Sequence, residues 1–568
     1  MAVKEIRVGA QARNEIIKGL NIMADAVKVT MGPKGRSVVL EWGVGYPRIT
    51  KDGVRVARFI DRLDGNFINM GAQMIYEVAK KTSKVAGDGT TTAVLLAQAI
   101  CRSGSKLVAA GVNPYHLKRG IDFAVAQVVE TLKKLSKPVV GNDEIANIAA
   151  ISANNDREVG KIVADAIEKV GKYGVVLAEE GKGIDTVVKI VQGMHYNRGY
   201  ISPHFVTEQK SMKAILEKPN ILLYDAKLNT LNDLVTILEQ VAKAEGPLMI
   251  IADEIEGAAL STLITNKLKG NLEVVATKPP GFGERRRLNL DDIAVLTGAQ
   301  VISKHVGLEL KGITVDYLGS CDKVIVDKEN TLIIGGHGSQ EAIAKHVSGI
   351  EAQIKLTDWD YDREQSKKRL ARLLGGIAII SVGGISETAM WHRKELIDNA
   401  LNSVYAAIAE GIVPGGGVAL LRCLPALEEL TVAGEDQYGI VVVREALEKP
   451  LQQIAENAGF DGLTIVEKLK ATEEWYGFNA NTGEYGNFKE MGIIDPTKVT
   501  RLAFQNAASL ASTVLTAEVA ISDKYPKPRN VLGPHSKMPG MGKHLSNIAK
   551  MGGPEKMEEM IAEGELEL

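Results

Sequence analysis

Apolar residues recur at helical spacing over Asn14–Val29, Gly71–Ala86 and Thr91–Ala110, which predicts a helical first third of the chain. Between the first two runs, Ser37–Asp64 has the character of short strands and turns. The pattern changes in the middle. Ile221–Asp225, Leu248–Ala252, Glu273–Ala276 and Val301–Ser303 are short β-rich runs, and helical stretches at Leu231–Ala244 and Ile255–Leu268 alternate with them. That alternation predicts a layered α/β unit with parallel strands. Lys323–Asp327 and Thr331–Ile334 flank Lys328-Glu329-Asn330, a hairpin signal. A strongly charged helix is predicted over Ile354–Leu374, with its charges toward solvent. Gly375-Gly376 breaks the pattern before an apolar strand at Ile377–Val382, and helical character returns after Lys394. Helical, then α/β, then helical implies an inserted unit, with the two helical ends folding together. The tail beyond Tyr525, rich in Pro, Gly, Met and Lys, is predicted to be mobile; Pro554–Glu563 has the composition for one short helix.

With 568 residues, the chain exceeds a single core, so the expected fold class is multidomain, α plus α/β. Aromatic residues are only 5%, and Ala, Val, Ile and Leu carry the apolar content. Such cores suit long helices and layered α/β packing more than a β-sandwich. The formal charge of −2 gives no electrostatic footprint for nucleic acid or an anionic membrane. The opening MAVKEIRVGAQAR has no apolar core of signal-peptide length, and no run reaches membrane-spanning length. A cytoplasmic location is therefore expected. Cys101, Cys321 and Cys423 lie far apart without a CxxC pair, which predicts buried thiols rather than disulfides or a zinc site.

The strongest local chemistry is Gly87-Asp88-Gly89-Thr90-Thr91-Thr92 before an apolar helical run. Glycines let a ligand approach the backbone closely, and free N–H groups at a helix start attract anions. Asp88 adds a hard oxygen suited to Mg²⁺ shared with phosphates. Thr30-Met31-Gly32-Pro33-Lys34-Gly35, Lys51-Asp52-Gly53 and Pro414-Gly415-Gly416-Gly417 are further glycine turns. None matches the GxxxxGKS/T phosphate loop or a dinucleotide fingerprint, which disfavours an ordinary P-loop ATPase.

Taken together, these segments resemble a group I chaperonin of the GroEL type. VTMGPKGRSVVLE, ITKDGVRVAR, NMGAQM, AGDGTTTAVLLAQAI, NPYHLKRGID and ISAN carry the resemblance in the first part. KPPGFGERRR, DYDRE, GIVPGGGVAL, YGFNANTGEYGN and GIIDPTKVTR continue it in order, from about Ala2 to about Asp523. The resemblance implies a GroEL-like three-domain subunit. The equatorial ATP-binding domain would be 1–134 plus 411–525, the intermediate hinge 135–191 plus 377–410, and the apical domain 192–376, with a flexible tail at 526–568. It also implies an ATP-dependent chaperone that captures non-native polypeptides in a seven-membered ring, two rings being the common arrangement. By the same resemblance, a GroES-type co-chaperonin lid would close the cavity. ATP and Mg²⁺ would be its cofactors, and K⁺ is compatible with the same site. No nucleic acid and no membrane is implied.

By the same resemblance, Thr30, Met31, Gly32 and Pro33 match the adenine-nucleotide loop, and Lys51 a phosphate-side contact. Asp88 matches the Mg²⁺ ligand, Gly89, Thr90, Thr91 and Thr92 the phosphate cradle, and Gly416 a nucleotide-contacting glycine. Asn479, Ala480, Asn481 and Asp495 match the base and ribose end, with Asn481 in place of a usual alanine. Asp52 matches a carboxylate that helps position the attacking water. Tyr200, His204, Phe205, Val235, Leu238, Leu260, Ile264 and Thr265 match the groove for substrate and lid. His204 and Thr265 make that groove more polar than usual.

Three departures stand out. Asn399 occupies the place of the family's main catalytic aspartate. Gln452 replaces an arginine used between rings, and the tail lacks Gly-Gly-Met repeats. A neutral amide cannot usefully accept a proton near pH 7, so slow hydrolysis is expected. Asp398 points about 100° away on a helix, while Asp52 leaves one carboxylate for residual turnover. The alternative expectation is a nucleotide-binding holdase or structural ring of the same fold, with hydrolysis crippled at Asn399.

Overall fold

The computed structural model describes residues 3–524, apart from 42–46, 61, 154, 172–173, 182, 210, 230–233, 244–245, 304, 306 and 357–358. The tail at 526–568, including the helix expected at Pro554–Glu563, lies outside the described residues. So do 231–233 and 244 of the expected helix Leu231–Ala244.

The chain opens with β1 (Lys4–Val8), α1 (Gly9–Lys28), β2 (Val38–Leu40), β3 (Arg48–Thr50) and α2 (Gly53–Phe59). Three long helices follow: α3 (Asn66–Ala86), α4 (Thr90–Ala109) and α5 (Pro114–Leu135). Next come α6 (Asn142–Ser152), α7 (Arg157–Val170), β4 (Val175–Glu180) and β5 (Val187–Val191). The inserted part begins with β6 (Gly193–Tyr196), β7 (Ala214–Glu217), β8 (Asn220–Leu228), α8 (Val235–Lys243), β9 (Leu248–Ile255) and α9 (Gly257–Leu268). It continues through β10 (Val274–Thr277), α10 (Glu284–Thr297), β11 (Val301–Ile302), β12 (Gly319–Val326) and β13 (Thr331–Gly336), and ends with α11 (Gln340–Leu356) and α12 (Asp360–Leu374). The chain then returns through β14 (Ile377–Val382), α13 (Glu387–Glu410), β15 (Ile412–Pro414), α14 (Val418–Leu421), α15 (Leu424–Glu428), α16 (Gln437–Asn457) and α17 (Gly462–Lys470). It closes with β16 (Tyr476–Asn479), β17 (Glu484–Asn487), β18 (Ile494–Pro496), α18 (Thr497–Thr516) and β19 (Val519–Asp523).

The two ends share one core. Leu20, Met23 and Val27 of α1 and Leu96 and Ile100 of α4 are buried with Val442 and Leu447 of α16 and Phe504 of α18. β1 pairs antiparallel with β19, from Lys4 opposite Asp523 to Val8 opposite Val519. Two glycines set the spacing of α1 and α3. A Cβ on Gly19 would lie 1.7 Å from the Ile68 carbonyl oxygen, and one on Gly71 1.8 Å from that of Ile16. The helices therefore cross in backbone contact, which any larger residue would prevent.

A second, smaller core surrounds the sheet β4-β14-β5. β14 runs parallel to β4 and antiparallel to β5, so strands from both sides of the insertion hydrogen-bond in one sheet. Val163, Val176, Ile380, Ile397 and Val404 fill the space between this sheet and α6, α7 and α13.

The inserted part has its own eight-stranded sheet and its own core. β8, β9 and β10 are parallel, and β11 adds parallel to β8. The expectation of a parallel sheet holds for that half only. β12 is antiparallel to β13, β7 and β8, and β13 to β6. The hairpin signal is the reason: Val326 pairs with Thr331, and Asp327 Oδ1 accepts from the N–H groups of Glu329 and Asn330, both at 2.7 Å. The steps β8 to β9 to β10 go the same way across the sheet, so right-handed crossovers put α8 and α9 on one face. The return to β11 sends α10 to the other face, where α11 and α12 pack on it.

The single charged helix expected over Ile354–Leu374 is instead the end of α11 and the whole of α12. Nor do all its charges face solvent. Arg369 is buried and bonds both oxygens of Asp292 at 2.8 and 2.7 Å. The three cysteines are free and buried, and burial pushes each thiol up to about 12.

Candidate nucleotide site and helix groove

Loop 30–35 is a tight reversal at the end of α1. Thr30 Oγ1 donates to the Val27 carbonyl at 2.8 Å, and Arg36 N–H to that of Val29 at 2.7 Å. Gly32 has φ +84°, in the region glycine tolerates. Asn457 at the end of α16 donates to the carbonyls of Lys28 and Met31, both at 2.9 Å. Thr30 and Met31 are largely buried, so their backbone carries the loop's shape.

The second loop approaches from β3. Asp52 caps α2: its Oδ1 accepts from Val54 N–H at 2.9 Å, while its own N–H donates to Thr50 Oγ1 at 3.0 Å. Gly53 sits where a Cβ would lie 2.4 Å from Thr91 Oγ1 and 3.0 Å from Val27 Cγ1. Only glycine lets this loop touch both α1 and the first turn of α4. Lys51 beside it is exposed.

Gly87 and Gly89 flank Asp88 with φ of +80° and +78°. Asp88 Oδ1 accepts from Gly89 N–H at 2.6 Å, and its Oδ2 accepts from Ser152 Oγ of α6 at 2.9 Å. Ser403 of α13 is 3.5 Å from the same oxygen. Asp88 thus lies where the helical body meets the middle body. Thr90, Thr91 and Thr92 form the first turn of α4, whose N–H groups have no partner within the helix.

The fourth loop is the glycine turn after β15. β15 pairs with β18, placing Val413 opposite Asp495, and Gly415 N–H donates to the Ile493 carbonyl at 3.0 Å. The Gly416 N–H bonds the Asp495 carboxylate. Burial and, next, the charge of Asp88 raise Asp495 to about 7. Burial also raises Asp52, and Asp88 again adds to the effect.

Asn479 shapes the β16–β17 hairpin, its Oδ1 accepting from Asn481 N–H at 3.0 Å. Ala480 is buried in the helical core, and Asn481 is exposed. Phe460 joins this hairpin to loop 30–35: its ring is 5.0 Å from that of Phe478, with Lys34 Nζ 5.5 Å above it. Asp495, grouped by resemblance with this hairpin, is bonded by the Gly416 N–H and feels the charge of Asp88. Gln452 is engaged along its own helix, accepting from Lys449 at 2.9 Å and donating to Glu456 at 2.7 Å.

Asp52, Val54, Arg55, Arg58, Ser83, Gly87, Asp88, Thr90, Glu395 and Asn399 line one pocket between the two bodies. Asn399 therefore faces Asp52 and Asp88 across the junction. Asp398 does not line it and pairs with Lys394 at 2.9 Å. Sequence reasoning missed Arg55, Glu395, Ser152 and Ser403. For Glu395 a signal existed: it is four residues before Asn399, hence on the same helical face.

In the inserted body, Tyr200, Leu238, Leu260 and Ile264 are partly buried against the core. Val235 is half-buried at the start of α8, and His204 and Thr265 are exposed. Thr265 Oγ1 donates to the Ser261 carbonyl at 2.8 Å. Phe205 departs from expectation: it is completely buried and belongs to the core of the inserted body.

A helical body and an inserted α/β body, joined by a small sheet with an aspartate between glycines at the junction, make the build of a GroEL-like chaperonin subunit. Residues 23–525 match the model of the TCP-1/cpn60 chaperonin family, and the chain belongs to that family. Among solved structures, it is similar to the chaperonin gp146 from the bacteriophage EL 2 (Pseudomonas aeruginosa), crystallised in presence of ATP-BeFx. The match has 23% identity and a TM-score of 0.67, covering 91% of this chain and 98% of that one. Among the described residues, no helix is long and apolar enough to cross a membrane.

Proposed function

We propose that this chain is an ATP-driven chaperone subunit. It captures non-native polypeptides on the α8–α9 face, and a co-chaperonin lid then encloses them in a ring of seven subunits. The supporting observation is Asp88. Its carboxylate is oriented by Gly89 N–H and Ser152 Oγ at the mouth of α4, in a pocket shared with Asp52 and Asn399. The helical body 1–134 with 411–525 holds the nucleotide, 135–191 with 377–410 is the hinge, and 192–376 binds the substrate.

In this reading the first-turn N–H groups of α4 and the hydroxyls of Thr90–Thr92 receive the phosphates. Loop 30–35 and hairpin 479–484 hold the base end from either side of Phe460. Asp52 and Asp495 have carboxylates raised by burial and by Asp88, a field that a bound cation relieves. Asp88 is the residue that would hold Mg²⁺, which neutralises phosphate charge when bound with ATP. The phage chaperonin's crystallisation in presence of ATP-BeFx is consistent with nucleotide binding by this fold.

Asn399 favours a second reading, a holdase ring that binds nucleotide without turning it over. Phosphate release from ATP separates the two. The groove is tested by Leu238→Ser with Ile264→Ser, which removes two partly buried aliphatic contacts. Capture of an unfolded test protein is expected to weaken about tenfold, on the order of what the lost apolar area contributes. Unaltered capture by the folded double variant would refute the groove.

A further inference from the structure

Glu395 stands four residues before Asn399 on α13 and lines the same pocket as Asp52 and Asp88. Arg55 of α2 grips it across the junction: Nε donates to Oε1 at 2.7 Å, and Nη2 pairs with Oε2. Arg55 Nε is also 3.7 Å from Asp52 Oδ2, so Glu395, Arg55 and Asp52 form one chain of charges across the pocket. A carboxylate has about four acceptor sites. The arginine fork uses two of them and fixes the rotamer, and the others remain for a water O–H. Burial raises the Glu395 carboxyl above its ordinary value, and Arg55 opposes that shift.

We propose that Glu395 supplies the carboxylate that Asn399 lacks, accepting the proton of the water that attacks ATP. This rests on reading the pocket as an ATPase site. The water oxygen bonds to the γ-phosphorus. The bond from that phosphorus to the β–γ bridging oxygen breaks, and its electron pair leaves with ADP. The water's proton passes to Glu395 and then to solvent, leaving ADP and inorganic phosphate. Arg55 is a positioning residue, holding Glu395 toward the pocket.

The test is single-turnover ATP hydrolysis with Mg²⁺ on the full chain, beside nucleotide affinity. Glu395→Gln is expected to slow hydrolysis at least about tenfold, at the low end of general-base effects. ATP affinity is expected to hold within about twofold, a split that assigns the loss to the chemical step. Adding Asn399→Asp to Glu395→Gln is expected to restore the rate, because it returns a carboxylate one turn further along the same face. Equal rates for wild type and Glu395→Gln overturn the proposal and leave the ATPase reading standing. Affinity falling in step with rate, without rescue by Asn399→Asp, makes the Arg55 pair merely structural and also overturns it. A wild type that binds ATP but releases no phosphate overturns both this proposal and the ATPase reading, and leaves the holdase. Should Glu395→Gln fail to fold, Glu395→Asp keeps the charge and retracts it by one methylene. Its rate is then expected to fall below wild type with affinity held, and a wild-type rate overturns the proposal.

Discussion

The inserted body clamps its buried carboxylates with cations, whereas at the junction Arg55 grips Glu395 and, among the described residues, Asp52, Asp88 and Asp495 lack such a clamp. The side chains of Asp225 and Asp292 in the inserted body are each 2% exposed, and each is clamped by cations. Asp225 accepts from Arg286 at 2.9 Å and Arg287 at 3.1 Å. Asp292 takes both prongs of Arg369 and has His346 Nε2 at 2.7 Å. At the junction pocket, among the described residues, Asp88 is held by an N–H and hydroxyl groups and Asp52 has Arg55 at 3.7 Å, while Asp495 nearby is held by an N–H. A carboxylate shut away from any pocket, as Asp225 and Asp292 are, is neutralised by the fold, whereas Glu395 keeps a face on the pocket beside its arginine. A carboxylate left short of positive charge beside other carboxylates marks where a cation from outside belongs.

The clamp side of this contrast carries the largest expected effect. Arg369→Ala leaves Asp292 with His346 among the described residues, and breaking such a buried pair costs about 3–5 kcal/mol. Urea unfolding should show an early transition of the inserted body while nucleotide binding persists. An unchanged unfolding curve would break the contrast. On the pocket side, Asp88→Ala is expected to weaken Mg²⁺-dependent nucleotide binding roughly a hundredfold, since the metal loses a hard ligand beside several phosphate charges. Calorimetric titration with ADP and Mg²⁺ checks this, and wild-type affinity would refute Asp88 as the ligand.

The smallest effect sharpens the comparison through pH. Asp495 is raised from 3.8 to about 7, so between those values the folded chain keeps a proton that the unfolded chain has lost. Stability therefore falls as pH rises through that window, and the full penalty stands above about 7. Asp495→Asn removes it. Allowing for partial exposure, the empty protein should gain about 1 kcal/mol at pH 8 and nothing near pH 3. A thermal-melting difference that is the same at both pH values would show that Asp495 is not charged against its surroundings.

Much of the architecture was legible because it is written locally. Expected and observed helices agree within a few residues for α1, α3, α4 and α9, and β14 spans the expected Ile377–Val382. Short elements escaped. α2 is seven residues long, with no room for two turns of periodicity, and Asp52 reads as a loop residue until it caps that helix. β4 and β5 are completed by β14, about two hundred residues away, so their strand pairing has no local signal. The burial of Phe205 was equally hidden, since an exposed and a core aromatic look alike in sequence.

By itself, the sequence determined the period of each long segment, the insertion order and the glycine loops. These depend on neighbours a few residues apart, and positive φ or close approach leaves glycine as the only choice. The tertiary structure alone decided which charges are neutralised and which are left short. Arg369 meets Asp292 across 77 residues, and Arg55 meets Glu395 across 340. Such pairings are set by how separate elements dock, and coulombic energy depends on distance and burial rather than on position along the chain.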